Sequence, residues 1–396
     1  FARQFMLAAH SLLAMLTSTE QHLFRRTQTR QILEVLRSLD RPRYLRELKD
    51  VLTSDAIRYH IKNAIARWLG TLPDPTPEEF AIVAAFDAQN DALPLIVRDA
   101  VLGSAGWFDL LYRMSWISEQ LSGVNEQRRN IILHWLGKIA TERPAEVAKL
   151  LDTWWGGDAD RAHWLLNWFR FVSASKDDKP LLVLCQRVIR ATGKNGRAGL
   201  LGKNSPLSPN WIAERGDDGV VVLRALFDAW FEEHPGHHPF ERNLVRELDD
   251  HWLGEIAKAS PRVFLEGAGP ALLQGLSLIV ERQAKSPGDY TFCGAPRAVD
   301  RFGADAIFAL YCSAFGKVAA TDPDETRRLL GQFDPSLHNH LRHLHLETIA
   351  ASGGALAKHL MELLAVPDLD TAGWAGAEWK SLADAARASM PKLSEE

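Results

Sequence analysis

The sequence predicts an all-α protein, in the form of a right-handed α-solenoid of antiparallel helix pairs. Along nearly every periodic segment the apolar residues recur at steps of three and four positions, which is the spacing of an amphipathic helix. Alternating runs typical of strands are scarce, and the best of them, 219–223, continues directly into helical spacing. A third observation is that one local pattern recurs four times, which is typical of stacked helical units.

The recurring pattern is a glycine followed by a proline seven positions later. A long apolar residue precedes each glycine, an aliphatic residue follows two positions after it, and in three copies a tryptophan lies two positions before it. Because the residues two before and two after the glycine are four positions apart, they share one helix face. The four copies are Gly70 and Pro77, Gly137 and Pro144, Gly254 and Pro261, and Gly316 and Pro323.

Each copy is typical of a joint between two antiparallel helices. The glycine lies near the end of the first helix, where a missing side chain lets a neighbour approach or lets the chain turn, and the proline fits the first turn of the second helix. Thr76, Ser260 and Asp322 precede three of the prolines and are good N-cap residues, whereas Arg143 precedes the fourth and is not. Glu79 follows Thr76 by three positions, as in a capping box. We therefore interpret these pairs as structural joints of a HEAT- or TPR-like superhelix, not as catalytic residues.

The spacing of the joints predicts the organisation of the chain. The interval between the second and third glycines, 117 residues, is close to twice the outer intervals of 67 and 62. We therefore expect a degenerate copy near residue 200, where Gly202 and Pro209 stand seven positions apart. The prediction is an N-terminal helical-repeat half over 1–191, a Gly-rich loop or insertion over 192–217 and a C-terminal half over 218–396, together forming one continuous solenoid.

Composition predicts a cytoplasmic protein that does not enter a membrane. Apolar residues make up 46% of the 396 positions and charged residues 24%, the balance of a chain that forms a core. No run approaches the roughly 18 uninterrupted apolar residues of a membrane-spanning helix. The three cysteines, Cys185, Cys293 and Cys312, are odd in number and far apart, which favours reduced thiols.

Charge is distributed unevenly along the chain. The net charge of −4 disfavours a general nucleic-acid binder, because such proteins carry an excess of cations. Residues 1–70, however, carry 12 lysines and arginines against 6 acidic residues, so this segment is +6 and the rest of the chain −10. The basic segment is either a solvated helix face or a surface that docks on an acidic neighbour or on phosphate groups.

Histidines at 338, 340, 343 and 345 are the best candidates for metal chemistry. On a helix, His340 and His343 share one face while His338 and His345 lie roughly opposite, so only the first two could ligate one ion, with a distant carboxylate. No HExxH pattern accompanies them, and partly buried or surface histidines are the favoured explanation. The composition predicts neither a bound metal nor a cofactor.

No catalytic set can be assembled from the sequence. It contains no GxSxG elbow, and none of the three cysteines has a histidine nearby. Gly202-Lys203 superficially matches a phosphate-binding loop, but Arg197 stands where that loop needs glycine and Asn204 where it needs serine or threonine. We predict that this chain is not an enzyme.

The stretch 19–31, continuing to Trp68-Leu69-Gly70, resembles the region that follows the NTPase module in large bacterial STAND (NACHT-like) ATPases. The resemblance covers about the first 80 residues and the repeat style of the rest. It implies a helical-repeat array that acts as a sensor or scaffold, in a family many of whose members are implicated in anti-phage defence. It also implies that the nucleotide-binding residues precede Phe1, in keeping with a helix that is already under way at the first residue.

The expected function is therefore a non-catalytic scaffold or sensor module that binds a protein partner or a neighbouring domain of the same polypeptide. Two alternatives belong to other classes. One is a metal-dependent hydrolase that uses the histidines of 338–345, and the other is a nucleic-acid-binding repeat that uses the basic N-terminal segment. Function is expected in the segment 192–217 and on the faces that the joints leave exposed.

Overall fold

All regular structure in the described part of the chain is helical. The structure is a computed structural model that describes residues 26–54, 57, 59–85, 95–102, 104–169, 172, 179–192, 200–201, 205, 207–238, 250–285, 304–365 and 376–393. Within these ranges no strand occurs, which confirms the all-α class. The best strand candidate, 219–223, lies inside a helix, where Val220, Val222 and Leu223 are buried.

The chain divides into two compact units, Phe1–Trp154 and Trp155–Glu396. The helices of the first unit are α1 (Arg26–Leu39), α2 (Arg41–Thr53), α3 (Tyr59–Leu69), α4 (Pro77–Ala84), α5 (Leu95–Val101), α6 (Ala105–Arg113), α7 (Trp116–Ser122), α8 (Glu126–Ile139) and α9 (Pro144–Trp155), which ends at the division. Within this unit α3 packs on α1 and α5, α4 packs on α2, and α7 packs on α6 and α8.

The second unit has two rows of helices. Its helices are α10 (Ala159–Phe169), α11 (Lys179–Ala191), α12 (Pro209–Ala213), α13 (Asp217–Glu233), α14 (Asp250–Ala259), α15 (Pro261–Lys285), α16 (Ala304–Thr321), α17 (Pro323–Leu330), α18 (Asn339–Ala351), α19 (Ala357–Leu364) and α20 (Gly376–Leu393). In the first row each helix packs on the next, in the order α12, α14, α16, α18 and α20. The second row is packed in the same way, in the order α11, α13 and α15. Within each of these rows, helices two apart in the chain are therefore neighbours.

The glycine–proline pattern marks the same local structure in all four copies. The proline is the first residue of a helix each time, namely of α4, α9, α15 and α17. Gly70 directly follows α3, and the other three glycines lie within the last two turns of α8, α14 and α16. A helix therefore ends and the next begins within each interval, and proline's missing N–H falls where no helical hydrogen bond needs it.

The capping box predicted at the first joint is confirmed. Thr76 Oγ1 accepts a hydrogen bond from the N–H of Glu79 (3.5 Å), and Glu79 Oε2 accepts one from the N–H of Thr76 (2.8 Å). The buried carboxylate of Glu79 also accepts from Arg37 Nε (2.8 Å), and Arg41 Nη1 lies 3.5 Å away. Burial first, and then the charge of Glu79, raise the pKa of the neighbouring Tyr44 hydroxyl. One carboxylate thus links α1, α2 and α4.

A proline inside the longest helix, α15, is accommodated by its neighbour. Pro270 lacks the N–H that would bond the carbonyl of Glu266 four residues earlier. That carbonyl accepts instead from Arg224 Nε of α13, at 2.9 Å. Two residues from the proline, the carbonyl of Ala268 accepts from the Tyr311 hydroxyl of α16, at 2.8 Å.

The same helix combines great length with an apolar composition. By length and composition Pro261–Arg282 could cross a membrane, with a mean hydropathy of 1.5 over its most apolar window, of which 61% is buried inside the protein. The helix contains no long uninterrupted apolar run, because Arg262 and Glu266 lie within it. A core helix of a soluble protein passes the same test, so the cytoplasmic location stays a prediction.

The segment 192–217 is only partly described. Residues 193–199, 202–204 and 206 lie outside the described ranges, and so does Gly202 of the degenerate joint. Pro209 begins a helix, α12, as the prolines of the four joints do. Trp211 of that helix is buried, with the guanidinium of Arg215 stacked 3.7 Å over its ring. The proposed division at 191 and 218 stays a prediction.

Two of the three cysteines fall in the described ranges, and both are free thiols. Cys185 is buried and Cys312 partly so, and burial raises the pKa of each thiol. Both are therefore protonated and unreactive at neutral pH. Cys293 lies outside the described residues.

Candidate functional site

A concave surface of the first unit runs along the first two joints. Two cavities of about 500 and 520 Å³ adjoin there and share Arg67 and Thr71 in their walls. The first is lined by Arg30, His60, Asn63, Ala64, Arg67, Trp68 and Thr71, and the second by Arg67, Gly70, Thr71, Arg98, Asp99, Leu102, Asn130, Ile131, His134, Trp135 and Lys138. We call these two cavities together the basic groove.

Most of the groove is built from matching positions of the first two joints. Counted from each glycine, the same five positions line it, in α8 and in α3 with the corner directly after it, at steps of three and four that place them on one face. The matched pairs are Asn63 and Asn130, Ala64 and Ile131, Arg67 and His134, Trp68 and Trp135, and Thr71 and Lys138. The repeat that builds the fold therefore also repeats this surface.

The electrostatics of the groove are positive. Its lining contains four cationic side chains against the single carboxylate of Asp99. That carboxylate lies 3.3 Å from Arg67 Nε and 3.7 Å from Arg98 Nε, so it offsets only part of the charge. Among the described residues Lys138 is in no ion pair, and Arg30 pairs only with Glu34, at 3.8 Å. The side chain of Arg67 is 70% exposed and can reach a ligand.

The floor of the groove is apolar and tightly packed. Trp68 and Trp135 are 5% and 3% exposed, so the lining presents their edges and not open ring faces. At Gly70 a Cβ atom would lie 2.4 Å from the carbonyl oxygen of Asp99, which shows how closely the corner approaches α5. Trp107 Nε1 donates to the carbonyl of Leu69 at 2.6 Å and fixes the end of α3. The cationic side chains thus stand on a rigid base.

The chemistry that this arrangement supports is the binding of an anionic group beside an apolar one. Arginine and lysine side chains hold carboxylates or phosphates, and Leu102 and Ile131 offer apolar contact between them. The hydroxyl of Thr71 donates to the carbonyl of Trp68 at 2.7 Å, so it helps to hold the corner of the joint. The lining contains no serine or cysteine to act as a nucleophile.

The histidines predicted as metal candidates lie in or beside α18 of the second unit. His338 precedes the helix, and its Nδ1 accepts from the N–H of His340 at 3.1 Å. The rings of His340 and His343 pack on Phe308, with centroids 4.9 and 6.3 Å apart. Burial lowers the pKa of His338 to about 4, that of His340 to about 3 and that of His345 to about 4. These three rings are therefore neutral at pH 7.

His343 joins a buried hydrogen-bond network. The Ser381 hydroxyl of α20 donates to Glu347 and lies 3.3 Å from His343 Nδ1. Because that hydroxyl has one hydrogen and directs it to the carboxylate, His343 Nδ1–H is the donor to the serine oxygen. Ser381 is 3% exposed, so the trio is a packing network and not a nucleophile with its base. Within the described ranges no three histidine, cysteine or acidic side chains are arranged to hold a metal ion.

His345 belongs to a second network. Its Nε2 lies 2.6 Å from the carbonyl of Phe333 and must donate to it, which leaves Nδ1 to accept from His359 Nε2 at 2.9 Å. His359 Nδ1 faces Glu362 Oε2 at 3.2 Å. Both ring nitrogens of His345 and both of His359 are therefore occupied by contacts within the protein, and these contacts connect α18 with α19.

Comparisons with protein-family models, with curated proteins and with solved structures each found no match. The function therefore has to be inferred from this chain's own residues.

Sequence reasoning found only part of the basic groove. The basic excess of residues 1–70 includes Arg30 and Arg67, and the joint pattern includes Gly70. Arg98 and Lys138 were missed because they lie beyond the basic segment and enter the groove only through packing. A signal was present, however, since the asparagine seven positions before the glycine recurs in both of the first two joints.

Proposed function

We propose that this chain is a non-catalytic helical-repeat module, a right-handed α-solenoid that acts as a scaffold or sensor for a protein partner or a neighbouring domain. The observation that carries the proposal is that matching positions of two successive joints form one continuous groove. A repeated structural unit that also repeats its exposed face is typical of binding solenoids, whose stacked repeats create extended surfaces.

The packing order supports the solenoid. In the second unit, helices two apart in the chain pack on one another in two rows, as expected when each repeat contacts only its neighbours. Ion pairs also link the first turns of three alternate helices: Asp217 of α13 lies 2.7 Å from Arg262 of α15, which lies 3.5 Å from Glu325 of α17. Starting turns that lie side by side fit helices that run in the same direction from repeat to repeat.

The resemblance to STAND ATPases supports the wider context. On this proposal the chain is the helical-repeat part of a bacterial, cytoplasmic signalling or defence ATPase whose P-loop NTPase precedes Phe1. Residues 19–25 of the stretch that carries the resemblance lie outside the described residues. A Walker A motif encoded upstream of Phe1 would support this assignment, and an upstream sequence without an NTPase would contradict it.

Photo-crosslinking tests the binding function directly. A photoreactive amino acid at Arg98, which lines the groove, is expected to crosslink the parent polypeptide to one defined protein or to one of its own other domains. The same amino acid at Val124, which is fully exposed outside the groove lining, serves as the control. If both positions give the same products, or neither gives any, the scaffold proposal is wrong.

One observation favours the nucleic-acid alternative, namely the excess of cations in the groove. Binding of that kind weakens steeply with salt, because each phosphate contact releases a counterion. If a single-stranded oligonucleotide does not bind at about 50 mM salt, the alternative is excluded.

A further inference from the structure

We infer that the basic groove binds an acidic peptide segment that carries an apolar side chain. This inference rests on the proposed binding function and names its ligand. The segment belongs to a protein partner, and it lies along α3 and α8 across the first two joints.

Charge complementarity is the first argument. Four cations line the groove and only Asp99 opposes them, with Lys138 in no ion pair among the described residues. Asp99 holds Arg67 and Arg98 from one side at 3.3 and 3.7 Å, which orients their guanidinium groups while leaving donors for a second carboxylate. A ligand that brings carboxylates restores the balance.

The apolar lining selects a peptide over a nucleic acid. Ile131 and Leu102 lie among the cations, so the ligand needs an apolar group next to its charges. Single-stranded nucleic acids bind on open aromatic faces, yet Trp68 and Trp135 are 5% and 3% exposed and cannot serve as stacking platforms.

The later joints do not repeat the charge of the groove. At the position of Lys138, directly after the joint glycine, the third joint has Glu255. The fourth joint has Lys317 there, but the asparagine shared by the first two is replaced by Ala309. The ligand specificity is therefore confined to the first two joints, and Lys317 provides a matched control.

The test measures fluorescence anisotropy of a labelled short peptide in which acidic residues alternate with leucine. The wild-type chain is expected to bind it, with affinity that falls as salt rises from about 50 to about 200 mM. Lys138→Glu is expected to weaken binding about tenfold or more, since it reverses a charge at the ligand. Lys317→Glu makes the same change of charge on an exposed lysine and is expected to leave binding unchanged.

Several outcomes would overturn the inference. The first is a Kd of the wild-type chain for the peptide above about 1 mM at low salt. The second is a loss of peptide affinity in Lys317→Glu equal to that in Lys138→Glu. The third is binding of an oligonucleotide of equal length more tightly than the peptide. The photo-crosslinking assay distinguishes a failure of the acidic-peptide inference from a failure of the proposed scaffold function. If Arg98 still crosslinks to a defined partner and Lys138→Glu does not weaken that crosslink, the module binds a partner but not through acidic residues.

Discussion

Glu79 is the clearest case of one side chain that serves two purposes. It closes the capping box of α4 and at the same time neutralises Arg37, whose side chain is 16% exposed. The second role was not visible in the sequence, because Arg37 lies 42 residues away and reaches Glu79 only through packing. The cap was predictable because it involves residues three positions apart.

Replacing Glu79 by glutamine isolates the charge, since glutamine can still cap the helix. Glu79→Gln is expected to lower the free energy of unfolding by about 3 kcal/mol, because Arg37 is left without its buried partner. Asp74 pairs with the same arginine at 2.9 Å but is 73% exposed, so Asp74→Asn should cost less than about 1 kcal/mol. Urea denaturation of the two variants checks this, and equal losses would show that burial does not govern the pair.

The buried histidines of the second unit make stability depend on pH. Their pKa values of about 4 for His338, about 3 for His340 and about 4 for His345 lie below the value of 6.5 expected in the unfolded chain. Between pH 6.5 and about 4 the unfolded chain therefore binds more protons than the folded one, so stability is present above pH 6.5 and is lost as the pH falls. Each histidine contributes at most about 1.4 kcal/mol per pH unit.

His340→Leu tests this dependence, because leucine fills the buried site but does not titrate. The slope of unfolding free energy against pH is expected to flatten by up to about 1.4 kcal/mol per pH unit between pH 6 and pH 4. The wild-type chain, measured over the same pH series, provides the reference slope. An unaltered slope in His340→Leu would mean that this ring is not held neutral in the folded protein.

The joint is the element on which both the fold and the groove depend, and its glycines are not equivalent. A Cβ atom at Gly70 would lie 2.4 Å from the backbone oxygen of Asp99, whereas one at Gly254 would meet only Leu310 Cδ2, at 3.5 Å. Glycine is required at position 70 because the backbone of α5 approaches it closely. Gly254 lies inside α14, where a glycine only weakens the helix.

Alanine substitutions at the two positions should therefore have opposite signs. Gly70→Ala is expected to destabilise by about 2 kcal/mol, because the backbone of α5 has to move. Gly254→Ala is expected to stabilise by about 0.5 to 1 kcal/mol through helix propensity. Thermal and urea unfolding of both variants give the comparison. Destabilisation of the same size at both positions would contradict the distinction.

The helix starts could be predicted from the sequence, because their signals lie within one turn of the chain. Part of the groove could not be predicted, because it depends on contacts between residues that are far apart in the sequence. Prolines at the first position of helices and the Thr76 cap act within one turn, so the sequence located these helix starts. Arg98 enters the groove because α5 packs on α3, a contact between residues about 30 positions apart. No periodicity or spacing encodes that contact.

On the scale of the whole molecule, a solenoid predicts that a destabilising substitution affects only the repeats next to it. In Gly70→Ala, amide hydrogen exchange is expected to rise within Phe1–Trp154 and to stay unchanged within Trp155–Glu396, because each repeat depends on its neighbours alone. Hydrogen-exchange mass spectrometry with peptides from both units measures this. Faster exchange throughout the chain would indicate one cooperative structure and would argue against a repeat array.

The contact between Arg224 and the carbonyl of Glu266 has an evolutionary consequence. The arginine takes up the bond that Pro270 cannot make, so a defect in one helix is compensated by a side chain of the next. The two positions are therefore expected to covary among homologous sequences. Where position 270 is an ordinary helix former, the carbonyl is satisfied within α15 and selection on position 224 is relaxed, so proline should be found together with arginine and rarely without it.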